Sequence, residues 1–527
     1  MATQNIEDLL FESHPVLSDR SSKIERLLRS TILPTDRGFI SQFLHDAEKE
    51  ANRLRVAIMS LESRRMRLEE TMQKCRSLLS PIHKLPPEVL AHVFTMCGQE
   101  GEALQPTCIP TAMAVSRVCG RWRDIALSTP LLWNSFRVNF FVWIDKGFDK
   151  LAVLIRTFLD RSKNSLLDLD LAINVTDDGR DNADINAVLD ILAAQSARWR
   201  YLDLICCPWV WEESPLNTIK GRLPELRHLE LSAPWEIDNP TDEVIDTHLF
   251  DDCPNLQSVV LRPTESDSLS DIHLPWAQIR SVELDYYYDT SSVYSLISQC
   301  SNLERLHLSS TPASERDVLE NIMWDTPLLK HLSISVSPWG RLSDILQRFS
   351  APSLLSLEMS CRCKGFGRKK LQEWDSLCIK EFLLQASNGI TSLKVENLPI
   401  SDSNLASLLC FMPQLEQLCI IERVEEECWK DKLISPAFLN RFTASPDFLP
   451  RLSRVDFTVN STVPQEALLH MLASRCIPHN SQMSNICKLR SVSVAIRKDV
   501  PSGLRFSLEA FRDVGVYMSV KVTHPRL

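Results

Sequence analysis

A recurring apolar pattern, L-x-x-L-x-L, runs from residue 166 almost to the end of the chain, with other apolar residues in place of some leucines. The x-L-x-L-x alternation predicts a short strand with one buried face, and many copies follow a helical run such as residues 188–192. Because one strand-and-helix unit cannot bury its own apolar face, stacked units must form the core. The copies start at Leu166, Trp199, Leu226, Leu256, Ile279, Leu303, Leu329, Leu354, Ile390, Leu415, Leu452 and Leu489.

The spacing of these copies indicates the class of repeat. Successive copies start 23 to 37 residues apart, around the 20–29-residue period of leucine-rich repeats with insertions. We therefore predict an α/β fold in which residues 166–527 form an irregular leucine-rich-repeat solenoid. A helix within residues 138–165, outlined by apolar residues from Phe148 to Phe158, is predicted to link this region to what precedes it.

Residues 81–137 show two apolar stripes at helical spacing. The first begins at the L-P-P-E sequence of residues 85–88, where proline at a first helical position and an acid in the first turn favour a helix start. A polar loop at residues 98–107 separates the second stripe, which Pro130 ends before Trp133. The stripes consist of Val89, Leu90, Val93 and Phe94, then of Val115, Val118, Cys119, Trp122 and Ile125.

Residues 38–80 are predicted to form a long coiled-coil helix, because this stretch contains no proline and is rich in Glu, Arg, Leu and Met. Apolar residues recur every seven positions over about four heptads, interrupted by Arg65. Three interpretations remain open: a homodimer of two such helices, a helix that folds back onto its own chain, or a helix that stands alone as a lever. Residues 1–37 are expected to be flexible. The two seams are Ala47, Leu54, Leu61, Leu68 and Cys75, and Ala51, Ile58, Met72 and Leu79.

Composition is consistent with an intracellular protein and argues against nucleic acid and membranes as partners. The net charge is −10 with a pI near 5.7, and no Lys/Arg stripe suggests nucleic-acid binding. No apolar run reaches the length of a membrane span, and the N-terminus has no signal-peptide pattern. The 16 cysteines are scattered through apolar contexts, which is typical of reduced, buried thiols. We expect a cytoplasmic or nuclear location.

Motifs for catalysis or cofactor binding are weak. Cys361 and Cys363 stand beside a basic run, but a closed zinc site needs a second ligand pair, and none follows nearby. Gly365 and Gly367 lack the Lys and Ser/Thr of a phosphate-binding loop. Neither a metalloprotease motif nor a serine nucleophile elbow occurs. The sequence therefore predicts no enzyme activity, no cofactor and no metal site.

Aromatic residues recur just after several predicted strands and suggest a binding rim. They could anchor a partner protein, since exposed aromatic residues often do so, or they could cover the ends of the repeat core. The strand positions that point away from the core are mostly polar and of mixed charge, which is typical of a solvated face. The speculative binding residues are Trp209, Trp235, Tyr287 and Trp339.

Residues 82–133 resemble the F-box, through L-P-x-E-V-L-x-x-V-F, then V-C-x-x-W-R-x-x-A and P-x-L-W. Gly120 departs from the motif, since a basic or polar residue often follows this cysteine. The resemblance implies a three-helix module that docks on the Skp-type adaptor of a cullin-RING ubiquitin ligase, while the repeats hold an unknown protein substrate. The implied adaptor-facing or module-core residues are Leu85, Pro86, Val89, Leu90, Val93, Phe94, Val115, Val118, Cys119, Trp122 and Ile125.

The repeat region also resembles that of leucine-rich-repeat F-box proteins, including fungal relatives with a coiled coil before the F-box. This resemblance implies a non-catalytic substrate receptor, in which other subunits perform the ligase chemistry. The alternative is a leucine-rich-repeat interaction scaffold that does not support ubiquitin transfer.

Overall fold

The structure is a computed structural model, and the chain divides into two compact units, residues 1–92 and 93–527. No helix in the described part is both long and apolar enough to span a membrane. The described residues are 23–29, 31–98, 101–174, 183–207, 210, 214–232, 247–262, 272–287, 290–310, 323–336, 342–361, 376–386, 389–398, 400–422, 433–445, 447–459, 465–476, 487–496 and 502–522.

The first unit is dominated by helix α1 (Pro34–Leu78), which confirms the predicted long helix. It begins four residues before the predicted start, because Pro34 occupies the first turn and Asp36 accepts a hydrogen bond from the backbone N–H of Leu33 at 3.1 Å. Of the segment expected to be flexible, residues 1–22 lie outside the described residues and residues 23–27 are helical. None of the residues of α1 is buried.

Three short helices follow where the two apolar stripes predicted helical structure: α2 (Pro87–Cys97), α3 (Thr111–Ser116) and α4 (Gly120–Ser128). The boundary between the two units falls within α2. The second stripe was expected to be one segment, and this expectation was wrong. Cys119 adopts an extended conformation and its Sγ accepts a hydrogen bond from the backbone N–H of Trp122 at 3.5 Å, so a new helix starts at Gly120.

Parallel strands dominate the second unit. Among the described residues, 15 strands form one sheet in which each strand pairs with the next strand of that sheet in chain order. The first half comprises β1 (Glu102–Ala103), β2 (Ser135–Asn139), β3 (Leu167–Ile173), β4 (Trp199–Cys206), β5 (His228–Ser232), β6 (Ser258–Arg262), β7 (Ser281–Tyr287) and β8 (Arg305–Ser310).

The sheet continues on the other side of β8. The separate pair β9 (Trp324–Asp325) and β11 (Phe349–Ser350) forms a small parallel sheet of its own. The remaining strands of the large sheet are β10 (His331–Val336), β12 (Ser356–Cys361), β13 (Ser392–Glu396), β14 (Gln417–Ile421), β15 (Arg454–Val459), β16 (Ser491–Ile496) and β17 (Tyr517–Val522).

The repeated apolar signature explains this sheet. All twelve copies coincide with strands, and in-register pairing aligns their leucines, as for Leu202 with Leu229 and Leu306 with Leu332. These aligned side chains are buried, whereas most of the residues between them are not. Strands β1, β2 and β17 extend the sheet beyond the repeats that the sequence predicts.

Helices follow many of the strands and complete the core. Helix α5 packs against α6, and each of α8 to α12 packs against the next helix in the chain. Their apolar faces are buried together with the strand leucines. These helices are α5 (Phe148–Ser162), α6 (Ala183–Ala193), α7 (Thr290–Gln299), α8 (Leu342–Leu346), α9 (Ser376–Ala386), α10 (Asp402–Leu409), α11 (Pro436–Ala444), α12 (Gln465–Cys476) and α13 (Ser502–Glu509).

Candidate functional site

Helix α2 presents both buried and exposed apolar residues. Leu90 and Phe94, four residues apart, are buried at 0% and 2% exposure. Val89, Val93 and Met96 share another stripe and remain 43%, 41% and 55% exposed. The sequence pattern alone could not divide the predicted docking residues between these two roles, because all of them are apolar and lie at helical spacing.

The apolar residues of α3, of α4 and of the segment between them are likewise divided between buried and exposed positions. Ile125 is buried, Val115 and Cys119 are half-buried, and Val118 is 60% exposed. Trp122 is half-buried, and its ring lies 4.8 Å from that of Phe94 between centroids. The structure thus brings Phe94 and Trp122 together as packing partners.

Ahead of α2, Leu85 is half-buried and Pro86 is exposed. Further exposed apolar residues between residues 97 and 133 are Ile109, Leu127 and Leu131. Single exposed apolar side chains are common, but three on one face of an 11-residue helix make that face suitable for a protein partner. We define the docking stripe as Val89, Val93 and Met96.

Trp133 fixes the end of this region to the following helix. The side chain is fully buried, and its Nε1–H donates to the carbonyl oxygen of Ala126 at 2.8 Å. The Arg161 guanidinium of α5 lies 4.4 Å from the Trp133 ring centroid, and the Phe158 ring packs edge-on at 5.1 Å. Helix α4 is therefore anchored to α5, close to the start of the sheet.

The outward positions of the sheet form a second candidate surface. Register pairing aligns one residue from each strand into a central row, which we call the central row of the sheet face. From β2 to β8, the central row consists of Arg137, Asp170, Asp203, Glu230, Val260, Glu283 and His307. The acids of β3 and β4 were missed in the sequence, although L-D-L-D-L and Y-L-D-L place them at outward positions.

Most acids on this face are neutralised across strands. Arg137 pairs with Asp170, and the Arg200 Nε–H donates to Asp168 at 2.9 Å. Arg262 pairs with Glu230, and it donates from Nε to Asp285 at 3.2 Å.

Asp203 differs from these acids. Its Oδ1 is buried without a hydrogen-bond partner among the described residues. Burial, followed by the negative charge of Asp170, raises the pKa of Asp203 to about 6. The neighbouring His228 ring stacks on Tyr201 with centroids 4.5 Å apart, and burial lowers the pKa of His228.

These residues border an open pocket of about 510 Å³ on the face of strands β2 to β5. Its mixed charges and its stacked aromatic pair could bind polar groups of a peptide, but it contains no arrangement of nucleophile and base. The principal lining residues are Arg137, Asp168, Asp170, Arg200, Tyr201 and Asp203.

One cluster in the described part has metal-ligand chemistry. Ligand atoms of Glu283, Asp285 and His307 lie within 4.8 Å of one another. However, Arg262 donates to Asp285 and lies 3.9 Å from Glu283, so two of the three candidate ligands already face a guanidinium. This arrangement favours an ion-pair network over a metal site.

Three of the four residues of the predicted aromatic rim are not among the described residues. Trp209, Trp235 and Trp339 lie outside the described residues, and for Tyr287 only the backbone is described, at the end of β7. The Cys361/Cys363 motif lies partly outside as well, since Cys361 ends β12 with a buried side chain and Cys363 is not described.

Comparison with known protein families identifies the helical region. Residues 82–139 match the family model described as F-box-like. The match contains α2, α3, α4 and β2, so the chain carries an F-box-like domain that reaches into the sheet. F-box domains are typically non-catalytic adaptor modules that bind Skp1-type proteins.

Comparisons over the whole chain are less informative. The comparison with curated proteins found no match. One similar solved structure is a Bacteroides fragilis protein determined by a structural genomics consortium, with 12% identity and a TM-score of 0.26, over 66% of this chain and 84% of that one. A likeness this weak indicates neither the fold nor the function.

Proposed function

We propose that this protein is the substrate-recognition subunit of a Skp-cullin-F-box type ubiquitin ligase. The match of residues 82–139 to the F-box-like family carries this proposal. The F-box-like domain docks on a Skp-type adaptor, and the adaptor links it to the cullin-RING core. The ligase chemistry belongs to other subunits and depends on proximity. The complex assembles in the cytoplasm or nucleus.

The docking stripe supplies the affinity for the adaptor. Val89, Val93 and Met96 present apolar surface that gains free energy when a partner removes it from water, at about 25 cal/mol per Å². Val118, at 60% exposure, adds a further apolar contact from the segment between α3 and α4. Leu90, Phe94 and Ile125 support the domain core.

The sheet and its helices form the leucine-rich-repeat solenoid, whose outward face receives the target protein. Support comes from the chain-order parallel pairing and from the polar, charged central row. Such a face can select a partner by charge pattern, because opposite charges across an interface attract and like charges exclude. The pocket on strands β2 to β5 lies on this face, close to the F-box-like domain in the chain.

Co-purification with a Skp-type adaptor and cullin tests the proposal. The full chain should capture both, and a Val89→Glu, Val93→Glu variant should lose the adaptor, because two carboxylates replace exposed apolar contacts. These positions are preferable to Trp122, since its ring packs on Phe94 and its loss would disturb folding.

Val153→Glu is the matched control, because Val153 is an exposed valine (63%) on α5, outside the family match. It should capture the adaptor as the wild type does. Capture of the adaptor without cullin would favour the alternative, an interaction scaffold that does not support ubiquitin transfer. Failure of the folded wild type to bind any Skp-type adaptor would overturn the proposal.

A further inference from the structure

Helix α1 is a 45-residue helix with no buried residue. At 1.5 Å per residue it extends about 67 Å. Helices in folded proteins gain most of their stability by burying an apolar face, but in the described chain the seam residues Ala47 and Leu61 of α1 are only half-buried. Large apolar side chains along it stay exposed, among them Leu54 at 44%, Ile58 at 56% and Leu68 at 57%.

These side chains lie on one seam. In heptad notation the a positions are Ala51, Ile58, Arg65 and Met72, and the d positions are Ala47, Leu54, Leu61, Leu68 and Cys75. Leucine fills three of the d positions and the β-branched Ile58 one of the a positions, and β-branched a residues with leucine at d favour two-stranded parallel coiled coils. The seam spans four heptads, which is long enough for a stable pairing.

Flanking charges discriminate between orientations. In a parallel, in-register pair each g position faces the e position of the next heptad in the second copy, which places Glu50 opposite Arg55 and Arg64 opposite Glu69. No e–g pair of this arrangement brings like charges together.

If the two helices paired antiparallel with full overlap, the e positions of one copy would face the e positions of the other. This pairing would oppose Glu48 to Glu62 and Arg55 to Arg55 of the second copy, so like charges would meet near the centre. The e–e contacts therefore disfavour this arrangement, although its g–g contacts would place Glu50 opposite Arg64.

Arg65 is the exception in the seam. Two copies of Arg65 would meet at one a layer, which costs stability. A polar residue at a single a position also fixes the register of the two helices. Glu69 lies 3.6 Å from Arg65 in the same helix and reduces this repulsion.

We propose that a second copy of this chain occupies the apolar seam of α1, forming a parallel, in-register coiled coil that makes the protein a dimer. This dimer goes beyond the adaptor function proposed above and does not depend on it. Of the interpretations that the sequence leaves open for this helix, the proposal takes the homodimer.

Cys75 allows a direct test. In this arrangement the two Cys75 residues share a d layer, where Cα atoms lie about 6 Å apart, within the range that a disulfide bridges. Oxidation of the full-length protein with copper phenanthroline should give a covalent dimer on non-reducing gels, and Cys75→Ser should abolish it. In the Cys75→Ser background, Leu68→Cys at d should restore the crosslink and Glu70→Cys, on the outer f position, should not.

Sedimentation equilibrium provides a readout independent of cysteine. The wild type should have twice the 60.1 kDa chain mass, Leu61→Glu should sediment as a monomer, and Ser63→Glu at an f position should remain dimeric. Arg65→Leu should tighten the dimer. A monomeric wild type, or a dimer in which neither Cys75 nor Leu68→Cys crosslinks, would overturn the proposal. If the monomeric Leu61→Glu variant still captures the adaptor, adaptor binding does not require the dimer, so the two proposals can fail independently.

Discussion

The carboxylate of Glu102 accepts a hydrogen bond from the backbone N–H of Ala112 at 3.0 Å and a second from Thr111 at 2.7 Å. Glu102 lies on β1, which pairs with β2 at the edge of the large sheet, whereas Ala112 is in the first turn of α3. One 5% exposed side chain thus connects a helix of the F-box-like domain to the sheet. The residue before α3, Pro110, has no side-chain group that could satisfy these N–H groups.

Loss of this carboxylate should loosen α3 locally. Glu102→Ala leaves two N–H groups without their acceptor, at a cost of about 1–2 kcal/mol. Hydrogen exchange of the amides in residues 111–116 should therefore become about 5- to 30-fold faster, while the amides of β10 to β16 keep their protection. Glu102→Gln retains one acceptor oxygen and should give a smaller increase. Unchanged exchange in Glu102→Ala would show that this connection contributes nothing to α3.

The Phe94–Trp122 contact predicts coupled stability effects. Phe94→Ala removes a buried ring and should lower stability by about 3–5 kcal/mol, while Trp122→Ala, at a half-buried position, should cost less. Aromatic pairs contribute about 0.5–1.5 kcal/mol beyond burial, so the double variant should be less destabilised than the sum of the two by this amount. Urea unfolding of the four proteins of the cycle measures the coupling, and strict additivity would contradict it.

The raised pKa of Asp203 predicts a pH dependence of stability. With a folded-state pKa of about 6 against 3.8 for the free group, the folded protein binds more protons than the unfolded chain between these values. Stability from this group is therefore lost as pH rises from about 4 to 6. Asp203→Asn removes the ionisation, so it should raise Tm relative to the wild type by about 1–2 °C at pH 7 and by less at pH 4.

Asp456→Asn, in the central row of the sheet face on β15, controls for replacing an aspartate of this face by asparagine. If Asp203→Asn lowers Tm at pH 7, the buried carboxylate is favourably paired and the interpretation is wrong.

Periodicity in the sequence predicted the elements whose residues repeat. The leucines of each signature specify one strand face, so all twelve predicted strands are present, and the Pro-Glu start of α2 is where the sequence places it. Strand β1 was missed, because two residues show no alternation and their partners, Phe136 and Arg137, lie far along the chain. The burial of Glu102 was missed for the same reason. Val89 is exposed and Leu90 is buried, and this difference could not be predicted because it depends on tertiary packing.

Arg475 on α12 shows how a charged residue can be buried against backbone carbonyl groups. The residue is 4% exposed, and its guanidinium donates to the carbonyl oxygens of Phe442 at 3.2 Å, Phe448 at 2.6 Å and Leu449 at 3.3 Å. Leu449 has a φ of 52°, a left-handed conformation that a non-glycine residue adopts only at a cost. The three hydrogen bonds hold this turn in place, and burial lowers the pKa of Arg475.

Arg475→Ala should therefore destabilise the C-terminal repeats by about 3 kcal/mol or more, since three carbonyls lose a charged donor and a cavity remains. Arg475→Lys should recover only part of the loss, because an ammonium group cannot match the planar fork of donors. Urea unfolding followed by hydrogen exchange in β15 and β16 measures the effect. Arg451→Ala, at an exposed arginine near the same turn, should change stability by less than about 0.5 kcal/mol, and an equal loss in both variants would contradict this role for Arg475.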